Sequence, residues 1–356
     1  MGQSPKVMEI ASVPQAIAWQ ATHMEEAGSP GGARLVRALL PLLDGATMVG
    51  QRMRDWPGLT LEDAMPLRVA GGLHNLLLTG DEPELAQVYA GQITDQAAID
   101  RLVDAIVRRH DARLLPWLDG PPQTNEAGRS ASVMAALLWL SARLGPRFQL
   151  IEIGASAGIN TMMDRYFYDL GGTTAGPAAS PVRIVPEWRG DAPPQVPVEI
   201  VGVKGCDIAP IDLTDPAQAL RLKSYVWPEA VARIGRMDAA IALASAHAPD
   251  LVALDAAQFV EQQLALPQQV GVTRVLFHTV MWQYLPVATR EAITAMMEAA
   301  GAQATADVPL AWISLETNRA SFRHECRVRY WPGGAEATLL GEAHPHGAWV
   351  EWRAPA

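Results

Sequence analysis

Beyond residue 148 the apolar residues arrive in short runs, at 149–153, 198–203, 250–254, 274–277 and 310–315, with segments of helical spacing between them. Strands separated by helices pair in parallel, because a crossover returns the chain to the same end of the sheet. Strand signals are scarce before these runs. From 16 to 118 the apolar residues recur at three and four positions, as Ile99, Leu102, Val103, Ile106 and Val107 do, which is the spacing of a buried helix face. A polar loop, "DGPPQTNEAGRS" at 119–130, separates this part from a further apolar helix. The closing stretch "ECRVRYWPGGAEATLLGEAHPHGAWVEWR" predicts two or three strands turned at Pro332-Gly333-Gly334. The expected fold class is therefore α/β: a doubly wound, mostly parallel sheet with an antiparallel C-terminal hairpin, preceded by an all-α N-terminal domain. Residues 1–128 are read as the helical domain and 129–356 as the sheet domain. A segment near 164–197, rich in Gly, Pro and Ala, is read as an insertion or hairpin.

Composition narrows the function. With 49% apolar and 19% charged residues in 356, the chain can bury a substantial core. A net charge of -10 argues against nucleic acid, whose affinity comes mostly from clustered Lys and Arg. A small-molecule or peptide partner is expected instead. Two cysteines, Cys206 and Cys326, build neither a disulfide framework nor a thiolate metal cluster, and point to a reducing compartment. The start of the chain lacks a compact apolar leader core and no apolar run is long enough to span a bilayer. A cytoplasmic protein with no membrane contact is expected.

The stretch "LIEIGASAGIN" at 150–160 carries the chemistry and admits two parses. As Gly-x-Ser-x-Gly it makes Ser156 an esterase nucleophile, with Asp255 and then His278, His344 or His346 completing a triad in chain order. Against this, such an elbow follows several strands, whereas nearly everything before 149 reads as helix. As a strand followed by a Gly turn, it places Gly154 and Gly158 where backbone passes close to a ligand, with Asn160 opening the next helix. Glu152 at the strand end suits a ligand with an ammonium and a sulfonium. A dinucleotide pyrophosphate gains nothing from that carboxylate, and the glycine spacing is not G-x-G-x-x-G. S-adenosylmethionine is favoured over NAD.

Later strand ends fit the second parse. Asp207 ends "VEIVGVKGCD", suitably placed for two ribose hydroxyls; Asp255, followed by the small Ala256, ends "LVALD", suited to an adenine amino group and a flat ring. "TRVLFHTVMWQYLP" runs out into His278, Trp282 and Tyr284, and Glu316 and Asn318 end the fifth strand. At this point residues 131–353 resemble the class I, Rossmann-like S-adenosylmethionine-dependent methyltransferases, with the final hairpin similar to that fold's antiparallel strand. Two departures stand out: the gap from Gly154 to Asp207 exceeds the usual spacing of about 20 residues, and Ser156 replaces the middle glycine. Nearly the whole chain also resembles the bacterial family called domain of unknown function 2332, on "LLPWLDGPPQTNEAGRSA", "EIGASAGIN", "RLKSYVWPEAVARI", "FHTVMWQYLP", "WPGG" and "HPHGAWVEW". That family implies no particular reaction.

Each candidate has a plainer reading. Gly154 and Gly158 also suit a tight packing turn, Glu152 a pairing with Arg129, and Asp207 and Asp255 helix N-caps. Gln123, Asn125, Glu126 and Arg129 lie on the polar loop, which folds over a cleft to hold substrate or else caps a helix in solvent. His278, Tyr284 and Glu316 are the candidate catalytic groups, with Trp282 binding substrate; aromatics there are otherwise core. His344 and His346 lack further ligands at metal-binding spacing, so no metal is expected. The segment "RLKSYVWPEAVARI" reads as a lid, or as a helix packing Trp227 on the sheet. The leading expectation is methyl transfer to a small or peptide-like acceptor; the alternatives are a non-catalytic nucleotide or metabolite binder, then a hydrolase using Ser156.

Overall fold

The computed structural model describes residues 11–57 and 63–355. Residues 1–10 and 58–62, which enter the leader and helix readings above, lie outside the described residues. Contacts divide the chain into two units.

The first unit runs to Thr124 and takes in Pro216–Gly235 as well. It holds α1 (Val13–Glu26), α2 (Pro30–Arg37), α3 (Met48–Arg54), α4 (Met65–Leu78), α5 (Leu85–Tyr89) and α6 (Gln96–Leu114). Side-chain caps start three of them: Ser12 accepts from Gln15 N, Thr47 from Gly50 N and Asp95 from Ala98 N. Ile99, Val103, Ile106 and Val107 are buried in one apolar core, as their spacing predicts.

The later segment α8 (Pro216–Ser224) joins this unit, so no single boundary near residue 128 separates the two. Trp227, expected over the cleft or on the sheet, packs against the helical core with Tyr225. Three glycines, Gly31, Gly32 and Gly71, admit Tyr225 and Glu229 of the same segment. A Cβ at Gly71 would stand 2.7 Å from the Tyr225 ring. At the start of α2 the amides of Gly31 and Gly32 donate to Glu229 at 2.6 and 3.2 Å, and the Ser29 hydroxyl donates to the same carboxylate.

The second unit covers Asn125–Asp215 and Arg236–Ala356 in its described residues. Its strands are β1 (Arg147–Ile153), β2 (Phe167–Leu170), β3 (Thr173–Ala175), β4 (Arg183–Ile184), β5 (Glu187–Arg189), β6 (Glu199–Asp207), β7 (Leu251–Ala253), β8 (Thr273–Thr279), β9 (Leu310–Thr317), β10 (His324–Trp331), β11 (Gly334–Ala343) and β12 (Trp349–Trp352). Nine of them form one sheet in the order β5-β12-β11-β10-β9-β8-β1-β6-β7. The stretch β7-β6-β1-β8-β9 is parallel, and each of its strands overlaps one of the apolar runs. The stretch β9-β10-β11-β12 is antiparallel and turns at Pro332-Gly333, as "WPGG" predicts.

Helices cover both faces. On one, α10 (Ala256–Ala265) and α11 (Val287–Gly301) pack Phe259, Val260, Ile293 and Met297 against Ile151, Ile153, Leu276 and Trp312. On the other lies α7 (Ser130–Leu144), where the Cys326 thiol meets the Ser132 carbonyl. A further helix, α9 (Val231–Ala246), spans the division between the units.

Segment 164–197 contains the antiparallel β2-β3 hairpin, with β4 beside it, and then sends β5 to pair with β12 at the far edge of the large sheet. One local expectation fails: no α-helix opens at Asn160. Asn160–Arg165 is a six-residue 3-10 turn, because β2 begins at Phe167 and the buried Tyr166 hydroxyl closes back on the Ile159 carbonyl. Among the described residues no helix is long and apolar enough to cross a membrane.

Candidate functional site

The chain leaves β1 through three consecutive left-handed bends, at Gly154 (φ 64°), Ser156 (φ 53°) and Gly158 (φ 71°). Two of these are glycine, which takes such values freely; Ser156 holds its value under strain. What fills the space beside the glycines is protein. A Cβ on Gly154 would stand 2.6 Å from Met281, and one on Gly158 2.6 Å from Pro249 and 3.1 Å from Leu251. Ser156 is held by Asp207: its amide donates to Asp207 Oδ2 at 2.8 Å, while Ala209 N donates to Oδ1 at 3.0 Å. Asp207 therefore ties the end of β6 to the bend after β1.

Beneath the bend sits a polar centre. Glu152 is 1% exposed and its Oε2 has no hydrogen-bond partner. The Ser156 hydroxyl and both amide atoms of the fully buried Asn160 are likewise unpartnered. Burial pushes the Glu152 carboxyl well above the usual carboxylate range; nearby Asn160 and Arg129 work against that and Asp207 adds to it. Orphaned polar atoms are few in folded proteins, so a group of them at a strand end implies something that satisfies them. Asp255 is close as well. Burial first, and then the charges of Asp207, Glu152 and Asp255, raise the Cys206 thiol to about 12.

Part of the polar loop joins this centre. Asn125 accepts from Ile159 N at 2.8 Å, and buried Glu126 accepts from Gly128 N and pairs with Arg236 at 3.3 Å. Arg129, also buried, donates to the Pro345 carbonyl at 2.9 Å. Gly128 and Gly347 lie back to back: a Cβ on Gly347 would be 2.4 Å from Gly128. That contact seats the loop on the His344-Pro345-His346 turn. Gln123 falls with the first unit.

The remaining candidates divide. Asp255 spends its carboxylate capping α10, accepting from Ala257 N and Gln258 N, and Ala256 is buried in the apolar cluster beneath. His278 is buried at the end of β8, with Nδ1 2.7 Å from Glu316 Oε1 and Nε2 3.0 Å from the Trp312 indole nitrogen. An indole N–H only donates, so Nε2 accepts and Nδ1 carries the hydrogen given to Glu316. Neither ring nitrogen is left for a substrate. Trp282 stacks on His278 at 4.8 Å, while Tyr284 is 61% exposed. Side chains alternate across a sheet. Glu152 pairs with Phe277 on the α7 face, so His278 points to the α10-α11 face. The Glu152 and His278 groups therefore lie on opposite faces.

Three contributors escape sequence reasoning. Met281 covers Gly154, Trp312 engages His278, and Val280 takes a φ of 53°, a strained value for a β-branched residue. The only signal for the first and last is their place immediately after β8.

An α/β protein with a mostly parallel sheet and a buried polar centre at the carboxyl edge of that sheet is the class these features define. The chain belongs to the family described as "Uncharacterized protein conserved in bacteria (DUF2332)", which it matches over residues 14–352. Neither the curated proteins nor the solved structures compared with it gave a match.

Proposed function

We propose that the second unit is a Rossmann-like domain that binds S-adenosylmethionine and transfers its methyl group to a small or peptide-like acceptor. The observation that carries this reading is the buried, unpartnered set Glu152, Ser156 and Asn160 at the end of β1. Open parallel sheets bind ligands outside the carboxyl ends of their strands, where the connections leave in opposite directions. The order β7-β6-β1-β8-β9 has that reversal between β1 and β8. A buried carboxyl with a free oxygen fits a ligand that brings its own ammonium.

In this reading Glu152 and Asn160 hold the ammonium, with Gly154, Ser156 and Gly158 shaping the bend around it. Asp207 takes ribose hydroxyls on its remaining lone pairs, and Asp255 and Ala256 border the adenine. Bound there, S-adenosylmethionine supplies an already activated methyl carbon. The protein's part is to align and to exclude water, and orientation supplies about 7–11 kcal/mol. Asn125, Glu126 and Arg129, which lie in the same unit as Glu152, border the acceptor. Of the catalytic candidates, His278 and Glu316 lie on the sheet face away from Glu152, His278 spends both ring nitrogens on Glu316 and Trp312, and Tyr284 is exposed, so none is assigned a proton transfer. The acceptor is then one with a free lone pair that needs no base.

The test is calorimetric titration with S-adenosylmethionine and S-adenosylhomocysteine, followed by methyl release on cell extract. Binding is expected to weaken by about tenfold or more in Glu152→Gln. At a pH between the ordinary carboxylate range and its raised folded value, binding should also release a proton, because an incoming cation ionises Glu152; a binding enthalpy independent of buffer ionisation there speaks against that contact. Absence of binding overturns the reading. Tight binding without turnover selects a non-catalytic binder, which the occupied nitrogens of His278 favour. A hydrolase has the bend at Ser156 in its favour, but no base bonds that hydroxyl; fluorophosphonate labelling lost in Ser156→Ala would restore it.

A further inference from the structure

On the sheet face away from Glu152, a cavity of about 260 Å³ opens beside Ser314. Its shape follows from register. Ser314 on β9 is small and lies between His278 on β8 and Arg327 on β10, with Trp312 two residues before it and Glu316 two after. Large neighbours around a small residue leave a hollow, and Trp282, 5.5 Å from Trp312 between ring centres, forms a further wall.

The charges around the hollow do not balance. Arg327 is matched by Glu325 at 2.8 Å and Arg329 by Glu298 at 2.9 Å. Glu316 is different: no lysine or arginine among the described residues pairs with it. Its Oε1 receives both the His278 ring hydrogen and the Met281 amide, and among the described residues nothing bonds Oε2. The His278 tautomer imposed by Trp312 is neutral, so it does not cancel the carboxylate. A carboxylate with no cationic partner beside two indoles, one of which already faces the Arg329 guanidinium at 5.8 Å, is an environment that selects an organic cation, through charge pairing and cation–π attraction together.

We propose that this cavity binds a small organic ammonium ion with an apolar body, its charge on Glu316 and its body against Trp282 and Trp312. The site does not depend on the methyl-donor reading, because its residues lie on the opposite face from Glu152.

The experiment is a ligand-observed NMR titration of the full chain with benzylammonium chloride, against benzyl alcohol and benzoate as neutral and anionic counterparts of the same size. Benzylammonium is expected to bind saturably, with the other two weaker by about tenfold or more. Glu316→Gln keeps an acceptor for His278 and Met281 while removing the charge, and is expected to weaken benzylammonium to the level of the alcohol. Ser314→Leu fills the hollow and is expected to abolish binding; if that variant does not fold, the comparison of the three compounds on the unaltered protein and Glu316→Gln decide. Tighter binding of benzoate would assign the cavity to its arginines and overturn the proposal. So would equal binding of all three, no saturable binding of benzylammonium, or an unchanged affinity in Glu316→Gln.

Discussion

A carboxyl group buried as deeply as Glu152 weighs on the fold whenever it ionises without a cation. Its folded pKa lies above the ordinary 4.5, so just above that value the unfolded chain has lost a proton the folded chain still holds. Stability then falls as pH rises through the interval between the two values. Glu152→Gln is expected to leave stability unchanged near pH 4 and to raise it by about 1 kcal/mol near pH 8, seen as a higher urea midpoint. An equal effect at both would show that the carboxyl titrates normally. Ser156 makes a second case, since it combines a positive φ with a buried hydroxyl that has no partner. Ser156→Gly removes both and should stabilise the ligand-free protein by roughly 1 kcal/mol, opposite to the usual effect of a new glycine. A lowered melting temperature would mean that neither the bend nor the hydroxyl costs anything.

At the scale of elements, the bend after β1 and the entry to β7 lock together at Gly158. With φ at 71° and its would-be Cβ 2.6 Å from Pro249, Gly158→Val is expected to destabilise by about 2–4 kcal/mol. Gly202 on β6 has open space at that position and an ordinary φ, so Gly202→Ala should change stability by less than about 1 kcal/mol. Thermal melts of the two variants side by side check the contrast. The parallel strands were legible because each has to bury apolar residues, which leaves a run in the sequence. By contrast, β5 was faint: Glu187, Trp188 and Arg189 carry no apolar run, and only β12 makes them a strand. The 3-10 turn at Asn160 was illegible for a similar reason, being imposed by Tyr166 and the early start of β2.

In the whole molecule the helical unit is discontinuous in sequence. Tyr225 and Trp227 fill its core, and Glu229 occupies the amides at the start of α2. His74 accompanies them, its Nδ1 3.0 Å from the Ser224 carbonyl, and burial lowers it to about 4. A fragment of residues 1–124 would expose the surface these groups cover and leave the amides bare. It is expected to be loosely packed, with dye binding and no cooperative melt; a sharp transition equal to that of the full chain would show that segment 216–235 adds nothing. Sequence alone determined that strands alternate with helices after residue 148, that Glu152 ends the first of them, and that a glycine bend follows, because periodicity and turn chemistry act over a few residues. Only the tertiary structure decided that Asp207 braces that bend, that Met281 covers Gly154, that His278 faces away from Glu152, and that residues 216–235 return to the helical core. Each of those depends on which distant segments meet, and pairing between segments far apart in the chain leaves no mark on the local pattern of either.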